Sequence, residues 1–105
     1  MAGKVRALEE AVDLVREGDL VGMTLPDDLN LGAQPMGFLR ALVRRGPRRL
    51  RLVGITGGSI NCDLLIGAGV VEQIETCHMR LGDFGTCPNF EGAVKAGTLK
   101  VLDNT

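Results

Sequence analysis

Three groups of residues in this chain are of types that do chemistry. They are the run Thr56-Gly57-Gly58-Ser59 with Asn61 and Asp63 behind it, the cysteines Cys62, Cys77 and Cys87 with the single histidine, His78, and the adjacent acids Asp27 and Asp28. The glycine run follows the apolar stretch Leu52-Val53-Gly54-Ile55 and precedes a short apolar segment, so it reads as a loop at the carboxyl end of a strand, the place where open α/β sheets put ligands. Glu75 lies at the end of the next apolar stretch, about 20 residues on, where a dinucleotide fold places an acid on a ribose. The glycine spacing is nevertheless not G-x-G-x-x-G, and Asp63 falls in the first turn of the helix that a pyrophosphate would have to approach. A carboxylate there suits the helix dipole and repels a phosphate. Backbone lying close to an uncharged part of a ligand, such as a thioester or pantetheine arm, agrees better with Gly57-Gly58 beside an acid.

Cysteine and histidine side chains could together form a Cys3His metal site, but neither C-x2-C nor H-x3-H spacing is present, and no metal is expected. Cys62 and Cys77 stand in apolar surroundings and read as small core residues. Cys87 with His78 is compatible with a thiol nucleophile and its base, while Thr86-Cys87-Pro88 also reads as the start of a helix. Asp27-Asp28 could act as bases or hold a cation; Pro-Asp-Asp is also ordinary turn chemistry, and the structural reading is preferred.

Positioning these residues requires an alternation of helices and strands. Val5, Leu8, Val12 and Val15 recur at helical spacing and predict a helix over residues 4–17 that stops at Gly18. Leu20, Val21 and Met23 form a short strand, followed by a loop over 25–34. Pro35 suits the first position of a second helix, in which Met36, Leu39 and Val43 share a face before Gly46-Pro47 ends it. Residues 50–55 form a second strand, a near-continuous apolar run after Arg51 of the kind seen when both faces of a parallel sheet are covered. Asn61 can cap a short helix from Cys62 to Ile66, ended by Gly67-Ala68-Gly69. Val70, Val71, Ile74 and Thr76 make a third strand, and Pro88 starts a last helix through Ala96 that Gly97 terminates. Leu99, Val101 and Leu102 form the fourth strand. This order predicts a parallel sheet with right-handed crossovers. Four parallel strands leave an open edge and an uncovered face unless further chain or a partner supplies the rest.

Composition bounds the remaining possibilities. With 105 residues, 45% hydrophobic and 24% charged, the chain is expected to be a single domain over 1–105. A formal net charge of -1 and an aromatic content of only three phenylalanines give neither the charge nor the stacking platform that nucleic acid needs. Arg44, Arg45, Arg48, Arg49 and Arg51 make one local basic patch around the turn at Gly46-Pro47, read as solvated turn charge. An odd cysteine count, no secretory signal and no apolar run near the ~20 residues of a membrane span place the protein in the cytoplasm, off the membrane.

The segments EGDLVGM, PMGFLRALVRRGPRRLRLVGITGG, DLLIGAGVVEQIET and CPNFEGAVKAGTLKVLDNT, in this order over Lys4 to Thr105, resemble the amino-terminal part of the alpha subunit of family I CoA-transferases, the glutaconate and 3-oxoacid group. The resemblance implies an open three-layer α/β/α fold with a mostly parallel sheet, incomplete in this chain, and a hetero-oligomer in which alpha and beta halves form one active unit. It implies that a glutamate of the beta subunit attacks the thioester of an acyl-CoA and that the resulting glutamyl-CoA thioester passes CoA to a second carboxylic acid, with loops of the alpha half binding substrate. No catalytic residue is then expected in this chain, and no cofactor beyond the CoA thioester that is the substrate. The backbone of Thr56, Gly57 and Gly58, with Asn61 donating from the loop, would contact the CoA substrate. A non-catalytic acyl-CoA binding or structural subunit of a related complex is the alternative. Two departures stand out: Gly22-Met23-Thr24-Leu25-Pro26-Asp27-Asp28 replaces the G-G-F-G-like run of many alpha halves, and those halves are considerably longer.

Overall fold

The computed structural model describes residues 7–24, 36–55, 60–76, 79, 81 and 85–103. They form α1 (Leu8–Val12), β1 (Leu20–Thr24), α2 (Met36–Arg45), β2 (Leu50–Ile55), α3 (Ile60–Gly67), β3 (Val71–Thr76), α4 (Pro88–Ala96) and β4 (Lys100–Asp103). The four strands make one sheet in the order β1-β2-β3-β4, every neighbouring pair parallel. This is an α/β fold, with each strand connected to the next through a helical segment. No helix among the described residues is long and apolar enough to cross a membrane.

Register sorts the sheet into rows. Val21, Leu52, Ile74 and Val101 lie side by side across the four strands, as do Met23, Gly54, Thr76 and Asp103; between them run Leu20, Arg51, Gln73 and Lys100, and Gly22, Val53, Glu75 and Leu102. Side chains alternate faces along a strand, so the first two rows share one face and the last two the other. Leu52 and Ile74 are fully buried and join Leu39 and Leu42 of α2 and Cys62 and Leu65 of α3 in a single core. On the opposite face Arg51 and Lys100 are exposed and Val53, Glu75 and Leu102 only half-buried. The run after Arg51 is therefore buried on one face alone, among the described residues.

Helices α2, α3 and α4 form where the sequence places them, with α3 starting two residues earlier than predicted, at Ile60 instead of Cys62. In α2, Leu39, Ala41 and Leu42 are buried, while Arg44 and Arg45 occupy the last turn, where cations favour the helix dipole. Helix α4 ends at Gly97, whose φ of 75° is a conformation that glycine adopts without a Cβ clash, and the Thr98 N–H reaches back to the Ala93 carbonyl at 3.0 Å.

Helix α1 departs from expectation. It stops at Val12 rather than running to Gly18, closing with i→i−3 bonds from the Leu14 N–H to Ala11 and from the Val15 N–H to Val12, both 3.1 Å. Tertiary partners take over from there. Asp13 pairs with Arg45 at 2.6 Å, Arg45 Nη1 donates to the Val15 carbonyl at 3.0 Å, and the Asp19 carboxylate accepts the Arg16 N–H at 2.8 Å. The expected start of that helix, residues 4–6, lies outside the described residues.

If the sheet is buried on one face, truncations on its two sides should differ. Leu52→Ala is expected to cost about 2–5 kcal/mol in urea unfolding, as for other fully buried leucines, and Leu102→Ala clearly less. Equal losses would mean that the second face is as buried as the first.

Candidate functional site

The carboxyl ends of β2 and β3 and the amino ends of α3 and α4 lie at the same end of the sheet, because each helix follows its strand. Thr56, Gly57 and Gly58, the expected backbone contacts, lie outside the described residues, as do Asp27, Asp28, Cys77 and His78. What is described is the frame around them.

Asn61 is placed differently from the cap position expected of it. Helix α3 begins at Ile60, so Asn61 sits within its first turn, 1% exposed, with Oδ1 accepting the Cys62 N–H at 2.7 Å. The four leading N–H groups of a helix lack intrahelical partners, and the Asn61 amide oxygen satisfies one of them from inside the turn. Its role is a helix-end acceptor two positions further in than a cap.

Asp63 is the central residue of this frame, in a role that its charge and first-turn position do not reveal. It is 5% exposed, and its carboxylate reaches out of α3 to the amino end of α4: Oδ1 accepts the Phe90 N–H at 2.7 Å and Oδ2 the Asn89 N–H at 3.3 Å. The Asn89 side chain returns the contact, its Nδ2 donating to the Asp63 carbonyl at 3.2 Å. One turn along α3, Gly67 leaves the space that the Asn89 amide fills; a Cβ there would run into it. A sequence signal for this arrangement exists. Cys87, at the N-cap of α4, makes no side-chain capping bond, and Pro88 has no N–H to offer, so the free donors of Asn89 and Phe90 require an acceptor from elsewhere.

Cys87 is fully buried, and its thiol pKa is raised from the ordinary 9.0 to about 11, first by burial and then by the negative charges of Asp63 and Glu91. A nucleophilic cysteine needs the opposite, a stabilised thiolate. Cys87 is therefore a packed helix-start residue rather than a nucleophile. Cys62 is likewise fully buried within the core. Among the described residues no three His, Cys, Asp or Glu side chains gather closely enough to hold a metal ion.

Glu75, the candidate ribose acid, belongs to the half-buried row with Val53 and Leu102, on the face away from α2 and α3. All six glutamates are described: Glu9 and Glu10 in α1, Glu17 in the turn before β1, Glu72 and Glu75 in β3, and Glu91 in α4. The arginines of the basic patch sit at the opposite end of the sheet. Arg45 holds Asp13, Arg51 Nε donates to the Gly18 carbonyl at 3.2 Å, and Arg49 lies 3.7 Å from Glu17.

Solved structures that match nearly the whole chain include a CoA-transferase and a decarboxylase. Glutaconate coenzyme A-transferase from Acidaminococcus fermentans superposes with a TM-score of 0.83 at 23% identity over 98% of this chain, and the decarboxylase AibA/AibB with a TM-score of 0.81 at 25% identity over 95% of it. The chain spans 32% and 38% of those two chains, respectively. No protein-family model and no curated protein sequence matches it.

The Cys87 environment predicts slow native-state chemistry. Iodoacetamide at pH 8 should label Cys87 far more slowly in the folded protein than in urea, read peptide by peptide by mass spectrometry; rapid native labelling would sink the assignment. Because the folded pKa lies above the unfolded one, the thiol contributes stability that is fully present below pH 9.0 and lost as pH rises toward about 11. Replacing Cys87 with alanine should flatten that alkaline decline. A four-stranded, all-parallel sheet flanked by helices is the architecture that the superposition with these neighbours supports: the chain has a CoA-transferase-like fold.

Proposed function

We propose that this chain acts as part of a CoA-transferase, the alpha subunit or a portion of one, which helps move CoA from an acyl-CoA to a carboxylic acid together with a beta subunit. The observation that carries this reading is the agreement of fold over 95–98% of the chain with a CoA-transferase and a decarboxylase, in the order of segments on which the sequence resemblance rests. In this reading the attacking glutamate comes from the beta subunit. None of this chain's six glutamates stands in a loop at a strand's carboxyl end, which supports that division of labour. The CoA thioester is substrate, and no further cofactor is needed. The loop of Thr56, Gly57 and Gly58 meets the ligand through its backbone, with Asn61 and Asp63 holding the helix behind it. The assembly works in the cytoplasm as a hetero-oligomer.

The likeness to AibA/AibB supports a second reading, because that protein is a decarboxylase. Here the chain would be a binding or structural subunit of a related acyl-CoA-processing complex, without a transfer step of its own.

Reconstitution separates the two. The chain alone should show no turnover, and addition of a glutamate-bearing beta subunit should produce CoA transfer from a donor thioester to an acceptor acid. Assembly without any transfer, but with binding of acyl-CoA by calorimetry, favours the second reading; neither assembly nor binding defeats both. Gly57→Val should abolish acyl-CoA binding while leaving the far-UV helical signal intact, since a side chain there blocks close backbone approach. Loss of both would make the glycine a folding residue instead.

A further inference from the structure

The amino end of the sheet carries a local excess of positive charge in a chain whose formal net charge is -1. Arg44 and Arg45 end α2, and Arg48, Arg49 and Arg51 follow across the turn into β2. Two of these side chains hold the fold: Arg45 binds Asp13 and the Val15 carbonyl, and Arg51 donates to the Gly18 carbonyl. The other three are not used in that way. Arg44 suits the dipole at the end of α2, but neither it nor Arg48 makes an ion pair or a side-chain hydrogen bond among the described residues. Arg49 stands 3.7 Å from Glu17 in an exposed pair of the kind that contributes little. Asp13 and Asp19, the acids closest in sequence to this corner besides Glu17, are already engaged, with Arg45 and with the Arg16 N–H.

Arg49 also has a backbone that its side chain does not favour. Its φ of 57° makes it the one non-glycine residue in the left-handed region among the described residues, a conformation that glycine takes freely and that costs any residue with a Cβ. The main chain fixes it from both sides. The Arg48 carbonyl accepts the Gly18 N–H at 3.0 Å, the Leu50 N–H donates to the Val70 carbonyl at 2.8 Å, and the Arg51 N–H to the Asp19 carbonyl at 2.9 Å. Strain of this kind persists where surrounding structure over-determines it, and it collects where a side chain serves a function. The guanidinium of Arg49 serves little within the chain, since its side chain is 68% exposed. Arg44 adds an open flank: with Glu9 and Asp13 on the α1 side it lines a crevice of about 320 Å³ between α1 and α2, and it pairs with neither acid.

We propose that Arg48 and Arg49, flanked by Arg44, form a docking surface for an acidic segment of another protein, whose carboxylates meet the guanidinium groups carried by the rigid turn before β2. A guanidinium holds a carboxylate through two parallel N–H···O bonds, and a main chain fixed in advance lowers the ordering cost of the contact. Nucleic acid suits this surface less well. No aromatic side chain lies within residues 44–51 to stack a base, and so few free arginines neutralise few phosphates. The surface lies at the end of the sheet away from the carboxyl ends of β2 and β3, so the inference does not rest on the CoA-transferase reading.

The test titrates the full chain, labelled with 15N, with hexaglutamate at low and at physiological ionic strength. The backbone amide signals of residues 48–51 should shift saturably, and the affinity should fall as salt rises. Arg49→Lys keeps the charge and the left-handed φ but loses the two-pronged donor, and should weaken binding about fivefold. Arg49→Gly removes the side chain and the strain together, so binding should weaken at least as much while Tm holds or rises. Lys95→Gln removes the same charge from the last turn of α4, at the other edge of the sheet, and should leave the affinity unchanged. Absence of a saturable shift at residues 48–51, an affinity that Arg49→Gly leaves untouched, or an equal loss in Lys95→Gln overturns the proposal. A fall in Tm on Arg49→Gly would assign the arginine to the fold instead, and oligothymidylate binding as tightly as hexaglutamate would assign the surface to nucleic acid; either also overturns it. No acyl-CoA or beta subunit enters the experiment, so its outcome is independent of the reconstitution result.

Discussion

The buried carboxylate of Asp63 is the constraint on which the carboxyl end of this sheet depends. Helix α4 starts with Cys87, which caps nothing, and Pro88, which donates nothing, so its first two available N–H groups would be left without acceptors. Asn89 is exposed and Phe90 half-buried, so the gain comes mainly from the bonds themselves, a hydrogen bond to a charged group contributing about 1.5–3 kcal/mol. Asp63 supplies both acceptors at once, and its own charge is tolerable in the interior only because those donors and the dipole of α4 face it. The bond pair joins the β2–α3 unit to the β3–α4 unit, and Gly67 lets the Asn89 side chain close the same contact from the other helix. A single acid therefore ties together the two helices that follow β2 and β3.

The opposite end of the sheet is built from different materials. There the chain before β1 and the turn before β2 are bound to each other by main-chain bonds, the Gly18 N–H to the Arg48 carbonyl at 3.0 Å and the Arg51 N–H to the Asp19 carbonyl at 2.9 Å. Arg45 and Arg51 add side-chain donors to the Val15 and Gly18 carbonyls. The ion pairs of Arg45 with Asp13 and of Arg49 with Glu17 are solvent-exposed, and pairs of that kind contribute little; the donors to backbone carbonyls do more to hold the corner. Through Arg45 and Arg51 the basic patch is thus a structural clamp, remote from the carboxyl ends of the strands, and α1 is cut short because the chain beyond it joins the same clamp.

Burial on one face gives the sheet its second character. The helices α2 and α3 share a core with Leu52 and Ile74, while Val53, Glu75 and Leu102 remain half-buried on the far side. Parallel sheets are ordinarily covered on both faces. A chain of this shape, spanning about a third of the length of the CoA-transferase and decarboxylase chains it resembles, supplies one helical layer and the sheet among its described residues. That agrees with a part that works alongside further protein and fits the proposed division of the chemistry, with the nucleophile contributed elsewhere.

The sequence by itself determined the elements that are dictated locally. The apolar run of β2, Pro88 and Gly97 at the two ends of α4, and the stop at Gly46 after α2 all reflect dihedral limits and side-chain periodicity, which act over a few residues. The alternation of those elements was enough for the parallel α/β class, and the order of motifs for the resemblance to CoA-transferases. Tertiary structure alone decided where α1 ends, because the competing partner of the chain beyond it is Arg45, which pairs with Asp13 and donates to the Val15 carbonyl from about thirty residues away in the chain. It also decided that Asn61 lies inside its helix, and that Cys87 is packed and neutral. Asp63 shows the limit most clearly: its charge and its place in a first turn were legible, but the helix it serves is not its own. A cap between helices depends on two chain segments 26 and 27 residues apart meeting in space, and nothing in local spacing encodes that meeting.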